Sequence, residues 1–164
     1  MAGLSGTLTS MVVSKLTSPT SGVTSQVSAM EQSDAGLQAA AIRNIVALNA
    51  SVDISEKVGF VQYPALLVYC DKMSNTLKEK FRQFSGKAHL VVEVRHSQDE
   101  LTDIASNVDV YVDAVCTLLD ASRGDWGSGL FYAGGYDVSY EPVGRGGKNF
   151  LQRAKVGFDV EVSK

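Results

Sequence analysis

The strongest pattern in the sequence is an apolar stripe between positions 101 and 119, where aliphatic residues recur every three or four positions. The stripe comprises Leu101, Ile104, Ala105, Val108, Val112, Val115 and Leu119. This spacing predicts one helix of about five turns with one buried face. Ser97 and Glu100 have the spacing of a capping box and predict its start, and Gly124 predicts its end. The buried face of such a helix must pack against another apolar surface of the protein.

Four segments predict the strands that supply this surface. Residues 65–70 are continuously apolar, which is typical of a strand covered on both faces. Residues 89–95, 136–140 and 150–162 alternate between apolar and polar side chains, so each predicts one dry and one wet face. We therefore predict an α+β fold with a mostly antiparallel sheet. Helices pack on one face, and the other face is left to water or to a partner.

The N-terminal segment differs from the rest because Ser and Thr dominate it and charge is nearly absent. Its apolar residues have helical spacing, namely Leu4, Leu8, Met11, Val12 and Leu16. They predict a short amphipathic helix that is covered either by the core or by a neighbouring subunit. We predict an arm at residues 1–32, including a linker at 17–28, and a single domain at 33–164.

A further helix is predicted at the start of that domain. Ser33 or Asp34 can cap it, and its apolar stripe consists of Leu37, Ala41, Ile45 and Leu48. The polar segment at residues 72–87 follows the first strand, and its Leu77, Phe81 and Phe84 have the spacing of one helical face. This segment is either a solvated connector or a charged loop that contacts a partner or DNA.

Composition excludes several classes of protein. With 164 residues, a net charge of -3, 45% hydrophobic and 20% charged residues, the chain has the size and balance of one globular domain. It is not a strongly basic nucleic-acid binder, a disordered chain or a fibre. We expect no transmembrane helix and no secretory signal, because the apolar runs are short and the N-terminus lacks a basic region. Cys70 and Cys116 are expected to be buried thiols.

The sequence offers no recognisable active site. The loop at residues 144–149 fails as a phosphate cradle, because Pro142 replaces the first glycine and Asn149 replaces the Ser or Thr that holds Mg²⁺. His89 and His96 are an odd number of positions apart, so one strand places them on opposite faces. We expect no catalytic residue, no cofactor and no metal site, and hence no enzyme.

The order of the predicted elements is helix, strand, charged connector, strand, long helix and a closing pair of strands. The stretches that define it are Tyr63-Pro64-Ala65-Leu66-Leu67-Val68, Leu90-Val91-Val92-Glu93-Val94 and residues 151–162. This arrangement resembles the tail-terminator, or tail-completion, proteins of tailed bacteriophages and, more broadly, the neck proteins that join tail to head. The resemblance covers residues 34–164, and the Ser/Thr-rich N-terminal segment departs from it.

The resemblance implies a structural virion protein that is made in the host cytoplasm. It would form a homohexameric ring on the tail tube, end tube polymerisation and provide the surface for head joining. Its partners would be further copies of itself, the tail tube protein, a head-proximal neck or connector protein and the DNA that passes through, with no membrane. The alternatives are another head-tail connector or neck component and a non-viral cytoplasmic adaptor that forms dimers.

Two sets of residues follow from this interpretation. The polar sheet face would line the DNA conduit with Glu93, Arg95, Arg153, Lys155, Asp159 and Glu161, unless it is an ordinary solvated face. Contacts between subunits or rings are expected in the loops 72–86, 125–135 and 144–149. The candidate contact residues there are Trp126, Arg145, Lys148, Lys78 and Arg82. For Trp126, the alternative is a half-buried side chain that closes the core.

Overall fold

The structure is a computed structural model that describes residues 3–34, 36, 37, 39, 41–47, 62–146 and 149–164. Within these residues it contains three helices, α1 (Leu4–Leu16), α2 (Val23–Ser33) and α3 (Ile104–Ala121). The eight strands are β1 (Asn44–Ala47), β2 (Ala65–Asn75), β3 (Ser85–Gln98), β4 (Gly124–Gly127), β5 (Leu130–Tyr132), β6 (Asp137–Tyr140), β7 (Gly144–Gly146) and β8 (Asn149–Ser163).

The two longest strands, β3 and β8, form the centre of a single curled sheet. They pair antiparallel from Ser85 opposite Ser163 to Gln98 opposite Phe150. On one side β2 pairs antiparallel with β3, and β1 joins β2 in parallel. On the other side β5, β6 and β7 pair in turn with β8, and β4 lies outside β5. The predicted fold class, α+β with helices on one side of a mostly antiparallel sheet, is confirmed.

The core lies between the sheet and the helices. Alternate residues of β3 and β8 contribute Leu90, Val92, Val94, Ala154, Val156, Phe158 and Val160, all at most 2% exposed. The predicted stripe of α3 meets them with Val108, Val112, Val115 and Leu119. Burial of each Val or Leu side chain stabilises the fold by about 1.5–3 kcal/mol, so this layer is the main source of stability. Leu101 and Ala105, from the same stripe, are exposed.

The predicted start of the long helix is wrong. Ser97 and Gln98 do not form a capping box but are the last residues of β3. The side-chain nitrogen of Gln98 donates to the carbonyl oxygens of Glu100 and Thr102, at 2.7 and 2.6 Å. These bonds hold the intervening residues in a turn, so the helix begins only at Ile104.

The N-terminal segment folds onto the core. The predicted amphipathic helix is present as α1, and its Leu8, Val12 and Leu16 are at most 1% exposed. The apolar side of α1 is therefore covered by the same chain, the first of the two alternatives. The predicted linker is wrong in its second half, because α2 begins at Val23 and buries Val23 and Val27. Burial of two aliphatic side chains outweighs the weak helix propensity of the surrounding Ser and Thr.

The helix predicted from residue 33 or 34 is also wrong. Asp34 follows the end of α2, and residues 44–47 form the parallel edge strand β1. The β-branched side chains of Ile45 and Val46 suit this edge, and Ile45 packs against the core. The predicted Leu48 lies outside the described residues.

Two further features concern the surface. Among the described residues, the longest apolar helix falls short of what a membrane crossing requires. Cys70 and Cys116 are free thiols and are only partly buried, in contrast to the expectation that both lie in the core.

Candidate interaction surface

The sheet face opposite the helices opens into a groove of about 870 Å³, which lies near the loop that joins β2 and β3. Its charged lining includes Lys72 on β2, Lys87 on β3 and Asp159 and Glu161 on β8, all exposed. On β3 and β8 these side chains alternate with the core residues, as the predicted period of two requires, whereas Lys72 reaches this face through a register shift after Cys70. Lys87 lies opposite Glu161 in the strand register. The groove therefore presents both signs of charge in close alternation.

His89 lies within this groove between two carboxylates. Its Nδ1 is 2.9 Å from Oδ1 of Asp159, and its Nε2 is 3.9 Å from Oδ1 of Asp71. Gly157 provides the space for the ring, because a Cβ there would lie 2.9 Å from Nε2 of His89. The imidazole is thus fixed as part of a polar network. The described residues contain no group of three His, Cys, Asp or Glu side chains that could hold a metal ion.

The same sheet face is closed further along the strands, where Glu93 and Arg95 are 0% and 1% exposed. The Arg95 Nε donates to Oε1 of Glu93 at 2.7 Å, and the Tyr69 hydroxyl donates to Oε2 at 3.1 Å. The prediction that Glu93 and Arg95 line a conduit is therefore wrong. The alternating pattern identified their face correctly, but an ion pair with further hydrogen bonds allows both charges to be buried there.

The other four residues of the predicted lining divide into two pairs. Arg153 and Lys155 are half-buried and both contact Glu141, at 2.6 and 3.2 Å. Asp159 and Glu161 are exposed and face the groove. Sequence reasoning missed Lys72 and Lys87 as their neighbours, although the odd-numbered positions of β3 indicate this face for Lys87. The exposed part of the predicted lining is thus confined to the end of β8.

The loop between β2 and β3, residues 76–84, borders the groove, and we call it the hairpin loop. It does not form the helical face predicted from Leu77, Phe81 and Phe84, because β2 continues to residue 75 and β3 begins at residue 85. Leu77 is 63% exposed and Phe81 is fully exposed, whereas Phe84 packs against the core. Leu77 and Phe81 also have positive φ angles of 47° and 69°. Such backbone is costly for large side chains and persists only where the surroundings hold it.

Asn75 holds the base of the hairpin loop. Its Oδ1 accepts from the backbone N–H of Leu77 at 3.2 Å and of Ser85 at 3.0 Å. Its Nδ2 donates to the carbonyl oxygen of Gln83 at 3.1 Å, and the Thr76 hydroxyl donates to that of Ser85 at 3.0 Å. One amide therefore joins both ends of the loop. An Asn between strands is a turn signal that the sequence contains, although helical spacing obscured it.

The hairpin loop is also tied to the C-terminus. The Ser163 hydroxyl donates to Oε2 of Glu79 at 2.6 Å, and Glu79 pairs with Arg82 at 3.5 Å. Phe84 exchanges two backbone hydrogen bonds with Lys164, each 2.8 Å. The predicted contact residues Lys78 and Arg82 both lie in this loop and are exposed, and Lys78 also lines the groove.

The predicted contact residue Trp126 is half-buried and packs inside the chain. Its Nε1 donates to the carbonyl oxygen of Ser122 at 2.7 Å, and its ring contacts Tyr132 and Phe158 with centroids 5.6 and 6.4 Å away. The Lys15 ammonium lies 4.8 Å from the ring centroid. These contacts match the alternative in which Trp126 closes the core.

The predicted loop at residues 144–149 contains a strand. Its first three residues form β7, which pairs with the beginning of β8. Arg145 is exposed, and its Cζ lies 5.8 Å from the ring centroid of Phe150. Lys148, the other predicted contact residue in this segment, lies outside the described residues.

Sequence reasoning missed a partly exposed strip in which residues 136–140 lie beside the outer side of α3. We call it the acidic strip, and it consists of Asp109, Asp113, Cys116, Asp120, Tyr136, Val138 and Tyr140. The Tyr136 hydroxyl donates to Oδ2 of Asp120 at 3.3 Å, and Tyr140 bonds Asp109. Of the dry face predicted for residues 136–140, Tyr136 packs against the core, but the prediction is wrong for Val138 and Tyr140, which are exposed. The sequence signal that indicates this strip is the spacing of its aspartates along the polar side of α3.

The surroundings raise the pKa of several side chains of the acidic strip. Desolvation, followed by the hydrogen bond and charge of Asp109, raises the pKa of Tyr140 to about 12. Desolvation and the nearby Cys116 and Asp120 raise the pKa of Tyr136 to about 12. Burial raises the pKa of Asp113, with a smaller contribution from Asp109. Both tyrosines therefore stay protonated near neutral pH and act as hydrogen-bond donors to carboxylates.

No protein-family model matches this chain, and no curated protein sequence is significantly similar to it. The candidate surface must therefore be interpreted from its own geometry.

Proposed function

We propose that this chain is a structural protein of a tailed-bacteriophage virion that forms a ring, caps the tail tube, ends its polymerisation and joins the tail to the head. The proposal rests chiefly on the two-sided sheet. Its helix-covered face is apolar and closed, whereas its other face ends in an open groove with alternating charge. The succession of β2, a charged hairpin loop, β3, long α3 and the C-terminal strands agrees with the later part of the order on which the family resemblance depends, whereas the helix that begins this order is replaced by β1.

The groove has the charge expected of a surface over which DNA slides. Binding to a polyanion tightens with each phosphate that a cation neutralises. In the groove, Lys72 and Lys87 lie among Asp159 and Glu161, so nearby carboxylates offset the attraction of each ammonium group for phosphate. In a ring of six copies, this part of the sheet would face the central channel. DNA would then pass without being held.

The contacts with neighbouring rings would come from loops on the rigid sheet. Arg145 on β7 is exposed and suits polar contacts with the tube protein or with a head-proximal neck or connector protein, whereas the exposed Lys78 and Arg82 on the hairpin loop suit contacts between subunits. In a closed ring, neighbouring copies occupy both of the two different contact surfaces of each copy. The assembly of copies therefore stops growing.

The test is the oligomeric state of the purified chain. We expect native mass spectrometry to give six times the 17.5 kDa of one chain, and negative-stain images to show rings with a central hole. Addition of these rings to growing tubes of the tail protein encoded nearest to this gene should fix the tube length. A stable dimer at every concentration would instead support an adaptor. Rings that bind a connector but leave tube growth unchanged would support another neck component.

A further inference from the structure

The hairpin loop combines an exposed aromatic side chain with a cluster of cations. Phe81 is fully exposed between Lys80 and Arg82, and Lys78 lies on the same loop. The loop is nevertheless held in place by Asn75 at its base and by Ser163 through Glu79. Phe81 is thus presented to solvent by a fixed backbone that is itself costly for a Phe. This combination is typical of an anchor that becomes buried in a partner.

The acidic strip has the complementary chemistry. It exposes the apolar Val138 and Tyr140 next to carboxylates of α3. Asp120 pairs with Arg123 at 3.0 Å, but Asp109 and Asp113 have no cation within ion-pair distance among the described residues. The strip therefore offers an aromatic and aliphatic surface bordered by uncompensated negative charge.

The two surfaces are too far apart to meet within one chain. β6 pairs with the middle of β8, where Tyr140 lies opposite Ala154 and Val138 opposite Val156, whereas the hairpin loop bonds Ser163 and Lys164 at the end of β8. A strand rises by about 3.3 Å per residue, so roughly 20–30 Å of continuous sheet separates the two surfaces. A hairpin loop can reach an acidic strip only on another copy.

We propose that the hairpin loop of one copy docks on the acidic strip of the next, with Phe81 against Tyr140 and Val138, and Lys78 and Lys80 facing Asp109 and Asp113. This inference rests on the proposed function, for which it supplies the contact between neighbouring subunits. The two surfaces differ, so the contact is heterologous and each copy keeps one surface of each kind for the next neighbour. Such contacts close into a ring when the rotation between copies fits.

The charges can be exchanged to test this contact. We expect Lys78→Glu with Lys80→Glu to weaken self-association about tenfold or more, and Asp109→Lys with Asp113→Lys to do the same. A chain with all four substitutions has the signs exchanged on both surfaces and should regain assembly. Asp99→Lys with Glu100→Lys is the matched control for the acidic strip, because it makes the same charge change in an exposed turn. Thermal unfolding of every variant verifies that each folds.

The aromatic anchor, Phe81, is tested with one variant and one control variant. Phe81→Ser should weaken assembly by a similar factor, whereas Leu101→Ser removes another exposed apolar side chain, 57% exposed, away from both surfaces and should leave assembly intact. Sedimentation velocity over a range of concentrations measures the association of each variant.

The possible outcomes distinguish the proposed docking contact between subunits from the proposed ring. Wild-type rings that persist in all of these variants would overturn the docking contact and retain the proposed function. A closed dimer that the charge reversals disrupt would overturn the ring and retain the contact. A wild-type chain that stays monomeric would overturn both. If the loop variants lose affinity for DNA and keep wild-type assembly, the hairpin loop is a nucleic-acid contact and the docking contact is wrong.

Discussion

Glu93 and Arg95 form a buried ion pair within the sheet. Each charge is desolvated, and each is compensated by the other across a distance of 2.7 Å. A buried pair of this kind adds little net stability compared with apolar side chains of the same volume. Removal of one member is costly, however, because it leaves the opposite charge in a medium of low polarity.

We predict that Arg95→Met destabilises the fold by about 3–5 kcal/mol, because a buried carboxylate loses its nearest cation. Arg95→Met combined with Glu93→Gln should be markedly milder, since no charge is then left behind. Urea unfolding measures both variants. If the single and double substitutions cost the same, the charges of the pair are not coupled.

His96 is a second buried polar group on β3, on the helix-facing side. Its Nε2 lies 3.1 Å from Oε1 of Gln98, whose amide nitrogen already donates to two carbonyls, so Nε2 is the protonated nitrogen. Nδ1 of His96 and Oε1 of Gln152, its partner across the strands, are buried and have no hydrogen-bond partner among the residues that the structure describes. Burial lowers the pKa of His96 below its usual range, and the Gln98 bond offsets this only partly.

This pKa shift predicts how stability depends on pH. An unfolded His titrates near pH 6.5, and the folded pKa is lower, so the unfolded chain binds more protons below that pH. The contribution of neutral His96 is therefore complete above about pH 6.5 and is lost as the pH falls toward the folded value. We expect the free energy of unfolding to drop between pH 7.5 and 5.5, and the drop to be smaller in His96→Gln. Equal drops in both proteins would contradict a role for His96.

At the scale of elements, periodicity predicted what is buried better than it predicted secondary structure. The stripe of α3 and the alternation of β8 were predicted because each long element buries one face against the same core. The short strand β1 was predicted as a helix, since four residues show no period of their own and β2 supplies the edge they pair with. The burial of Glu93 and Arg95 also depends on contacts that a strand pattern does not encode. Alternation therefore predicts which face of a strand a side chain lies on, but it does not predict whether that side chain is exposed to solvent.

The hairpin loop is the element whose order depends most on one side chain. Asn75→Ala removes three hydrogen bonds at its base. We expect faster amide hydrogen exchange across residues 76–84, unchanged exchange in α3 and a loss of global stability of about 1 kcal/mol. Ser74→Ala is the matched control, because its hydroxyl makes no hydrogen bond to the described residues. If exchange in the loop is equal in both variants, Asn75 does not hold the loop.

At the scale of the whole molecule, the fold separates three surfaces with different chemistry. The helices cover one side of the sheet, and the groove opens on the other. The hairpin loop lies at the Ser163 end of β8, and the acidic strip lies beside the middle of that strand. In the ring that we propose, this arrangement would let neighbouring copies associate while most of the groove stays open. The contact surface and the channel surface would meet at Lys78, which belongs to the hairpin loop and also lines the groove.

The channel surface can be tested through the charge balance of the groove. Glu161→Lys converts one acidic position of each copy into a basic one beside Lys87, its partner in the strand register. We predict that rings of this variant bind duplex DNA more tightly than wild-type rings, and that their affinity falls more steeply with salt. Each additional phosphate neutralised contributes about -0.9 to the slope of log K against log salt, and six copies act together around one duplex.

Asp99→Lys makes the same change of net charge in an exposed turn outside the groove and serves as the control for that prediction. Fluorescence anisotropy at several salt concentrations measures both variants, after native mass spectrometry has verified that each still forms the wild-type assembly. If both variants gain DNA affinity equally, net charge alone attracts DNA and the groove does not face the channel. A gain restricted to Glu161→Lys would mean that the duplex lies within reach of the end of β8, because a screened charge acts over only about 10 Å at 0.1 M salt.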